Sequence, residues 1–310
     1  MRSPIFELKN VTKEFGKDFF SRNRIRAVDS VSFNIHKGEI VSLIGESGSG
    51  KTTIGKMILR LLKPTRGNLL FLGKDIWKIQ KGEVKNYYRK VQGIFQDPFS
   101  SFNTLFKVDR VFHMIFETFY PNEKRRREKM ESVIESVGMN PKDVLGKYPH
   151  QLSGGQLQRL LIARALLMEV ELLVADELIS MLDASTRIDI LNLLREIALN
   201  RGMSVLFITH DLSLGYYISD TTLIMYRGEI VEMGETVKIY QNPIHPYTKM
   251  LLASVPRIDE LWSKEEVFLP EVIQGKIEEF YKRNAHVKED IKEVEKNHFV
   301  VFRSKSEVKQ

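Results

Sequence analysis

The chain has 310 residues, 43% of them hydrophobic, which suffices for one large domain with an appendage and is not the composition of a disordered chain. Its formal charge of +7 leaves nucleic acid or an anionic membrane surface open as partners. The absence of cysteine removes disulfides, thiolate metal sites and cysteine-ligated iron–sulfur clusters together, and no stretch approaches the ~18 consecutive apolar residues of a membrane-spanning helix. With no apolar signal core between Met1 and Glu7, a soluble cytoplasmic protein is expected.

Short apolar runs alternate with helical patterns, the arrangement of a parallel sheet covered by helices. The first clear strand is Ile40 to Ile44, nearly continuously apolar as in strands buried on both faces. It runs into Gly45-Glu46-Ser47-Gly48-Ser49-Gly50-Lys51-Thr52, which fits G-x-x-x-x-G-K-[ST] with a strand before it and a helix, opening through Thr53, after it. Glycines let such a loop turn its N–H groups inward onto phosphate oxygens, and the following helix N-terminus adds positive potential. Lys51 is then expected to reach the β- and γ-phosphates of ATP and the Thr52 hydroxyl to ligate Mg²⁺. Such a string arises by chance in roughly one chain in a hundred of this length.

A long insert from about Asp97 to Gln151 reads as a mostly helical lobe. It holds the densest basic run, Lys124-Arg125-Arg126-Arg127, just before Met130, Val133, Ile134 and Val137. That apolar spacing is the buried face of a helix ending near Gly138, so the run reads as a solvated helix face. After Leu152-Ser153-Gly154-Gly155-Gln156 and a helix rich in Leu and Ala comes a second buried strand, Leu172 to Ala175, ending on Asp176 and Glu177. Two carboxylates at that sheet edge, where α/β proteins place ligands, suit a metal ligand and a base: Asp176 for Mg²⁺ through water, Glu177 for polarising an attacking water. A helix follows between Asp183 and Asn200, with Ile190, Leu191, Leu194, Ile197 and Ala198 inward and Gly202 as its stop. Ser204 to Thr209 is the third buried strand, about Leu223 to Glu235 returns to short strands, and Asn242-Pro243 and His245-Pro246 punctuate the chain.

The pentapeptide Leu152 to Gln156 carries a specific resemblance: it matches the signature of ABC-type ATPases, and the family's other motifs follow in the family's order. Gln96 in Gly93-Ile94-Phe95-Gln96-Asp97-Pro98 resembles the glutamine loop, Asp183 the D-loop aspartate, and His210 in Ile208-Thr209-His210-Asp211 the switch histidine. Phe15 sits where the family places an aromatic on the adenine base, with Phe19 and Phe20 as competitors. The resemblance implies an α/β fold: a P-loop NTPase (RecA-like) parallel-sheet core, an antiparallel β subdomain, a helical signature subdomain at about 97–157 and a small C-terminal extension. The ATPase domain is placed at 1–256 and an accessory region at 257–310.

It also implies roles. Ser153 with the amides of Gly154 and Gly155 and neighbouring Gln156 makes a second anion site, one that in this family faces the nucleotide of a second ATPase subunit in a head-to-tail dimer. Gln96 is expected at Mg²⁺ or the lytic water, and His210 at the γ-phosphate. One departure stands out: the family usually has Pro after the catalytic glutamate, and this chain has Leu178, which predicts a looser turn around Glu177.

The stretches Gln96 to Asn103 and Asn242-Pro243-Ile244-His245-Pro246-Tyr247-Thr248, with Leu251 to Pro256, are similar to oligopeptide and dipeptide importer ATPases. Two membrane permease subunits and, indirectly, an extracellular substrate-binding protein are the implied partners, with the chain peripheral on the cytoplasmic face of the membrane and no nucleic acid. Oligosaccharide or nickel cargo stays open, because the motor never contacts cargo. The alternatives are a soluble ABC ATPase acting on nucleic acid or ribosomes, a switch without turnover, and a P-loop kinase, which leaves Leu152 to Gln156 unexplained.

Overall fold

The computed structural model describes residues 3–16, 25–254, 270–284 and 291–302. Two sheets organise it. In the smaller, β1 (Pro4–Phe15) pairs antiparallel with β2 (Ile25–His36) on one side and β4 (Arg66–Phe71) on the other, and β5 (Lys74–Asp75) closes the order β2-β1-β4-β5. Val31, Phe33 and Ile35 recur every second residue, so one face of β2 is apolar and buried.

The larger sheet has eight strands. Its parallel core comprises β3 (Ile40–Ile44), β6 (Val91–Ile94), β7 (Leu172–Asp176), β8 (Ser204–Thr209) and β9 (Thr221–Tyr226), ordered β9-β3-β8-β7-β6. The apolar runs at 40–44, 172–175 and 204–209 are therefore central strands, and every residue of all three is buried. Successive side chains serve opposite faces: Leu173, Ala175, Val205 and Phe207 join one core, and Leu172, Val174, Leu206 and Ile208 the other.

One face carries α1 (Lys51–Ile58) and the smaller sheet; α2 (Lys81–Lys90) leads into β6. The other face carries the helical lobe: α3 (Arg110–Phe119), α4 (Arg126–Glu135), α5 (Pro141–Val144) and α6 (Gly154–Leu167), with α7 (Ala184–Arg201) behind them. The periodicity reading holds in detail. Met130, Val133 and Ile134 of α4 are buried while Lys124, Arg125 and Arg127 are exposed, and Arg127 pairs with Glu131 one turn on at 2.8 Å. In α7 the buried residues are Ile190, Leu191, Leu194, Ile197 and Ala198, and Gly202 closes the helix at φ 62°. Truncating any one of the larger of these side chains to Ala is expected to cost about 2–5 kcal/mol, several times the propensity difference at any single exposed position.

After α8 (Leu212–Ile218), β9 turns through Arg227 and Gly228, both at positive φ, into β10 (Glu229–Glu235); such a two-residue turn matches the twist of the strands it joins. Then come α9 (Thr236–Gln241), α10 (Pro246–Ala253) and α11 (Pro270–Arg283). The described part of the tail also holds β11 (Ile291–Glu295) and β12 (His298–Val301), the latter in the β-prone run His298 to Phe302. These two strands extend the main sheet, as β12 pairs antiparallel with β10. The boundary placed between 256 and 257 lies outside the described residues.

Candidate active site

The loop between β3 and α1 is crowded by backbone at both ends. A Cβ on Gly45 would lie 2.1 Å from the Met225 carbonyl oxygen, and one on Gly50, at φ 110°, 2.3 Å from that of Ala27. No larger residue fits either place. The Gly228 amide donates to the Ser49 carbonyl at 2.9 Å, so the β9–β10 turn braces the loop from behind. At the first turn of α1 the Lys51 ammonium is buried and donates to the carbonyls of Gly45 and Glu46, each at 2.7 Å, and to Ser49 Oγ at 3.4 Å. Two backbone carbonyls and a hydroxyl are weak compensation for a buried charge. Burial accordingly lowers its pKa, against the nearby carboxylates of Glu177, Asp176 and Glu46. This is a cation prepared for an anion.

At the end of β7, Asp176 is buried, which pushes its carboxyl pKa up, while the Thr52 hydroxyl donates to its Oδ1 at 3.3 Å and draws it down. Thr52, Asp176 and nearby Gln96 are all oxygen donors with a single charge among them. Such a set fits Mg²⁺, which keeps several waters and takes the rest of its ligands from phosphates; among the described residues there is no group of three or more carboxylates or histidines to form an all-protein cage. Glu177 sits at φ 50°, its amide donating to the Ile208 carbonyl at 2.9 Å, and its Oε1 lies 3.0 Å from His210 Nδ1. Leu178, where the sequence predicts a looser turn, is 1% exposed, and the amide and hydroxyl of Ser180 both donate to the Glu177 carbonyl, at 3.2 and 3.0 Å. Packing and two hydrogen bonds hold the turn in place of a proline ring.

These groups converge on a cavity of about 780 Å³ lined by Glu46, Thr52, Gln96, Asp176, Glu177 and His210, with Leu251 of α10 on its rim. Gly48, Ser49, Gly50, Lys51 and Thr53 are not among its lining residues; Gly48 and Ser49 line a smaller cavity of about 250 Å³ together with Tyr226, Arg227 and Tyr247. Phe15, at the end of β1, is 42% exposed with the Lys13 ammonium 5.2 Å from its ring centre; Phe19 and Phe20 lie outside the described residues.

The remaining motif residues form a second cluster. Ser153 caps α6, its Oγ accepting from the Gln156 amide at 3.2 Å while Gln156 Oε1 accepts from the Ser153 amide at 2.9 Å. Asp183 caps α7, and hydrogen bonds from Ser185 and Thr186 hold its carboxyl below the usual range. The two helix starts touch: a Cβ on Gly155 would stand 2.7 Å from Thr186 Cγ2. The glycine is thus needed for close helix approach as well as for an exposed amide. None of Ser153, Gly154, Gly155, Gln156 or Asp183 lines the 780 Å³ cavity.

One residue of α10 reaches the phosphate loop without any motif of the sequence assigning it to the site. The Tyr247 hydroxyl accepts from the Glu46 amide at 3.1 Å, although the stretch 242–248 reads in sequence only as a marker of relationship. Nothing in its composition or spacing points to a phosphate loop some 200 residues away in the chain.

The geometry sets a buried cation on the phosphate loop and, around one cavity, three oxygen donors, a further carboxylate and a histidine, the parts of phosphoryl transfer to water. Comparison with known proteins agrees. A family model described as ABC transporter matches residues 28–180, and one described as oligopeptide/dipeptide transporter, C-terminal region, matches residues 231–283. The chain is similar to the oligopeptide transport ATP-binding protein OppF of Streptococcus mutans, 42% identical with 86% of each chain covered. It is likewise similar to OppF of Bacillus subtilis, 37% identical over 97% of both. Among solved structures it resembles the dimeric ATP-binding cassette MJ0796 in a post-hydrolysis state bound to ADP and Pi, at 28% identity and TM-score 0.66, covering 74% of this chain and 98% of that one. CbiO1 of Clostridium perfringens, 22% identical with TM-score 0.68 over 88% of this chain and 98% of that one, shares the fold. With the phosphate loop, the paired carboxylates and the signature helix set in one fold, and with identity of this extent across most of the sequence, the chain belongs to the ATP-hydrolysing cassettes of the ABC transporter family, in its oligopeptide and dipeptide branch.

Proposed function

We propose that this chain is the motor of an importer of oligopeptides or dipeptides, working in a head-to-tail pair with an identical or companion ATPase subunit. The observation that carries the reading is the separation of two anion grips on one polypeptide. Gly45, Glu46, Ser47 and Thr52 of the phosphate loop line the 780 Å³ cavity, with the Lys51 ammonium held on the Gly45 and Glu46 carbonyls; Ser153 and the amides of Gly154 and Gly155 open α6 and line no part of it. A second subunit facing the first supplies the missing grip, so that two nucleotides are each held by Lys51 of one copy and Ser153 of the other. Dimeric cassettes among the similar structures support this pairing.

Within each site Glu177 would take the proton of the attacking water, His210 would hold the γ-phosphate, and Gln96 would orient the water and relate it to the helical lobe. Thr52, Asp176 and Gln96 would hold Mg²⁺, whose charge when bound offsets that developing on the phosphate oxygens. Phe15 and the capping Asp183 complete the nucleotide face and the subunit contact.

Peptide cargo is supported by what the relatives are named for; two permease subunits, an extracellular binding protein at one remove and a peripheral seat on the cytoplasmic membrane face follow from that assignment. Among the described residues no helix is long and apolar enough to cross a membrane. Of the basic run at 124–127 only Arg126 and Arg127 belong to α4, and both are engaged within the lobe, Arg126 on the carbonyls of Pro121 and Glu123 and Arg127 on Glu131, so the run gives nucleic acid little support as an alternative partner. Purification from native membranes tests the proposal: two polytopic subunits are expected to accompany the chain and to stimulate phosphate release, whereas nuclease-sensitive association with nucleic acid would refute it.

A further inference from the structure

The phosphate loop is gripped from two sides at Glu46. The carbonyl of Glu46 accepts from Lys51, and its amide donates to the Tyr247 hydroxyl at 3.1 Å. Tyr247 is fully buried and held by packing and by hydrogen bonds. Its ring packs on Tyr226 with centroids 4.4 Å apart, and its amide donates to His245 Nδ1 at 3.2 Å. Burial pushes the His245 pKa down to about 3, so the ring is neutral, and with Nδ1 accepting, its proton sits on Nε2, facing the Tyr281 hydroxyl of α11 at 3.1 Å. The backbone there is bolted too: the amides of Ile244 and His245 donate to the Glu232 carboxylate at 2.9 and 3.0 Å, and the same carboxylate meets His298 Nε2 of β12 at 2.8 Å. A continuous path of hydrogen bonds and short backbone links therefore runs from β12, the last strand among the described residues, to the second residue of the phosphate loop.

We propose that Tyr247 is a positioning residue for the phosphate loop: its hydroxyl fixes the Glu46 peptide so that the amides following it present one conformation to the phosphates of a nucleoside triphosphate, and the C-terminal region thereby sets nucleotide affinity. Burial also raises the hydroxyl pKa, so Tyr247 stays a neutral acceptor across the working pH range. Preorganisation of this kind lowers the ordering cost of binding and acts equally on ground and transition states. It rests on the reading that residues 45–52 hold the phosphates.

Removing the hydroxyl alone tests it. In the full-length chain, Tyr247→Phe keeps the ring and its packing; the KM and Kd for ATP are expected to rise about 3- to 10-fold, the effect of one neutral hydrogen bond, with kcat within about twofold and a thermal midpoint lowered by no more than about 2–4 °C. Tyr247→Leu is expected to lower the midpoint further, because it also removes the stack on Tyr226. If Tyr247→Phe binds ATP as the parent does and only Tyr247→Leu is impaired, Tyr247 is a packing residue and the proposal is wrong. A drop in kcat at unchanged KM overturns it equally. Failure of the parent chain to bind ATP strikes instead at the assignment of the loop.

Discussion

Glu177 Oε1 and His210 Nδ1 lie 3.0 Å apart, just past the ends of two neighbouring parallel strands in which Asp176 stands opposite Ile208. Sheet register alone produces this meeting. Under the proposed roles, Glu177 as base and His210 on the γ-phosphate, each has to exchange this partner for water or phosphate before reaction.

Glu177→Gln keeps the shape and the contact with His210 but removes the basicity. Turnover is expected to fall by about 10²-fold or more while ATP affinity is retained. Parallel measurement of phosphate release and ATP binding checks this; an unchanged rate removes Glu177 from its role.

At Ser153 two functions can be separated. As a helix cap alone, Ser153→Ala is worth about 1 kcal/mol of stability, and Ser153→Asp, an equally good cap, is neutral. As a phosphate grip, Asp places a negative charge where a phosphate is needed. The expected outcome for Ser153→Asp is therefore a parental thermal midpoint with hydrolysis lowered at least about tenfold, that is by 1.4 kcal/mol or more. Retained hydrolysis would assign Ser153 to capping only.

Asp176 links stability to pH. Burial raises its folded pKa above the ordinary 3.8, so the native state favours the protonated form. That preference stabilises the fold at low pH and is lost as pH rises through the folded value, leaving a buried carboxylate as a cost at neutral pH. Asp176→Asn is thus expected to raise the thermal midpoint of the nucleotide-free protein at pH 7.5, with the gain shrinking as pH falls toward 4, while hydrolysis drops by about 10²-fold or more through loss of the charge meant for Mg²⁺. Melting curves across that pH range, beside phosphate release, decide it.

Glu232 is wholly buried and serves three partners: the amides of Ile244 and His245, and His298. Glu232→Ala strands all of them, at a cost of about 3–5 kcal/mol in urea unfolding. A loss below about 1 kcal/mol, the level of an exposed ion pair, would mean that the tail is not anchored there.

Much of this molecule was written in local sequence. The central strands, the inward faces of α4 and α7, the stop at Gly202 and the loop 45–52 all follow from periodicity, from glycine's conformational range and from the needs of phosphate binding, which act over a few residues. What the tertiary structure decided involves residues far apart in the chain: the pairing of Glu177 with His210, the contact of Gly155 with Thr186, the joining of β12 to the main sheet, and the hydroxyl of Tyr247 on the Glu46 amide. Register, close approach and a buried hydrogen bond are properties of packed neighbours, and a single sequence carries no local mark of which distant residue its neighbour becomes.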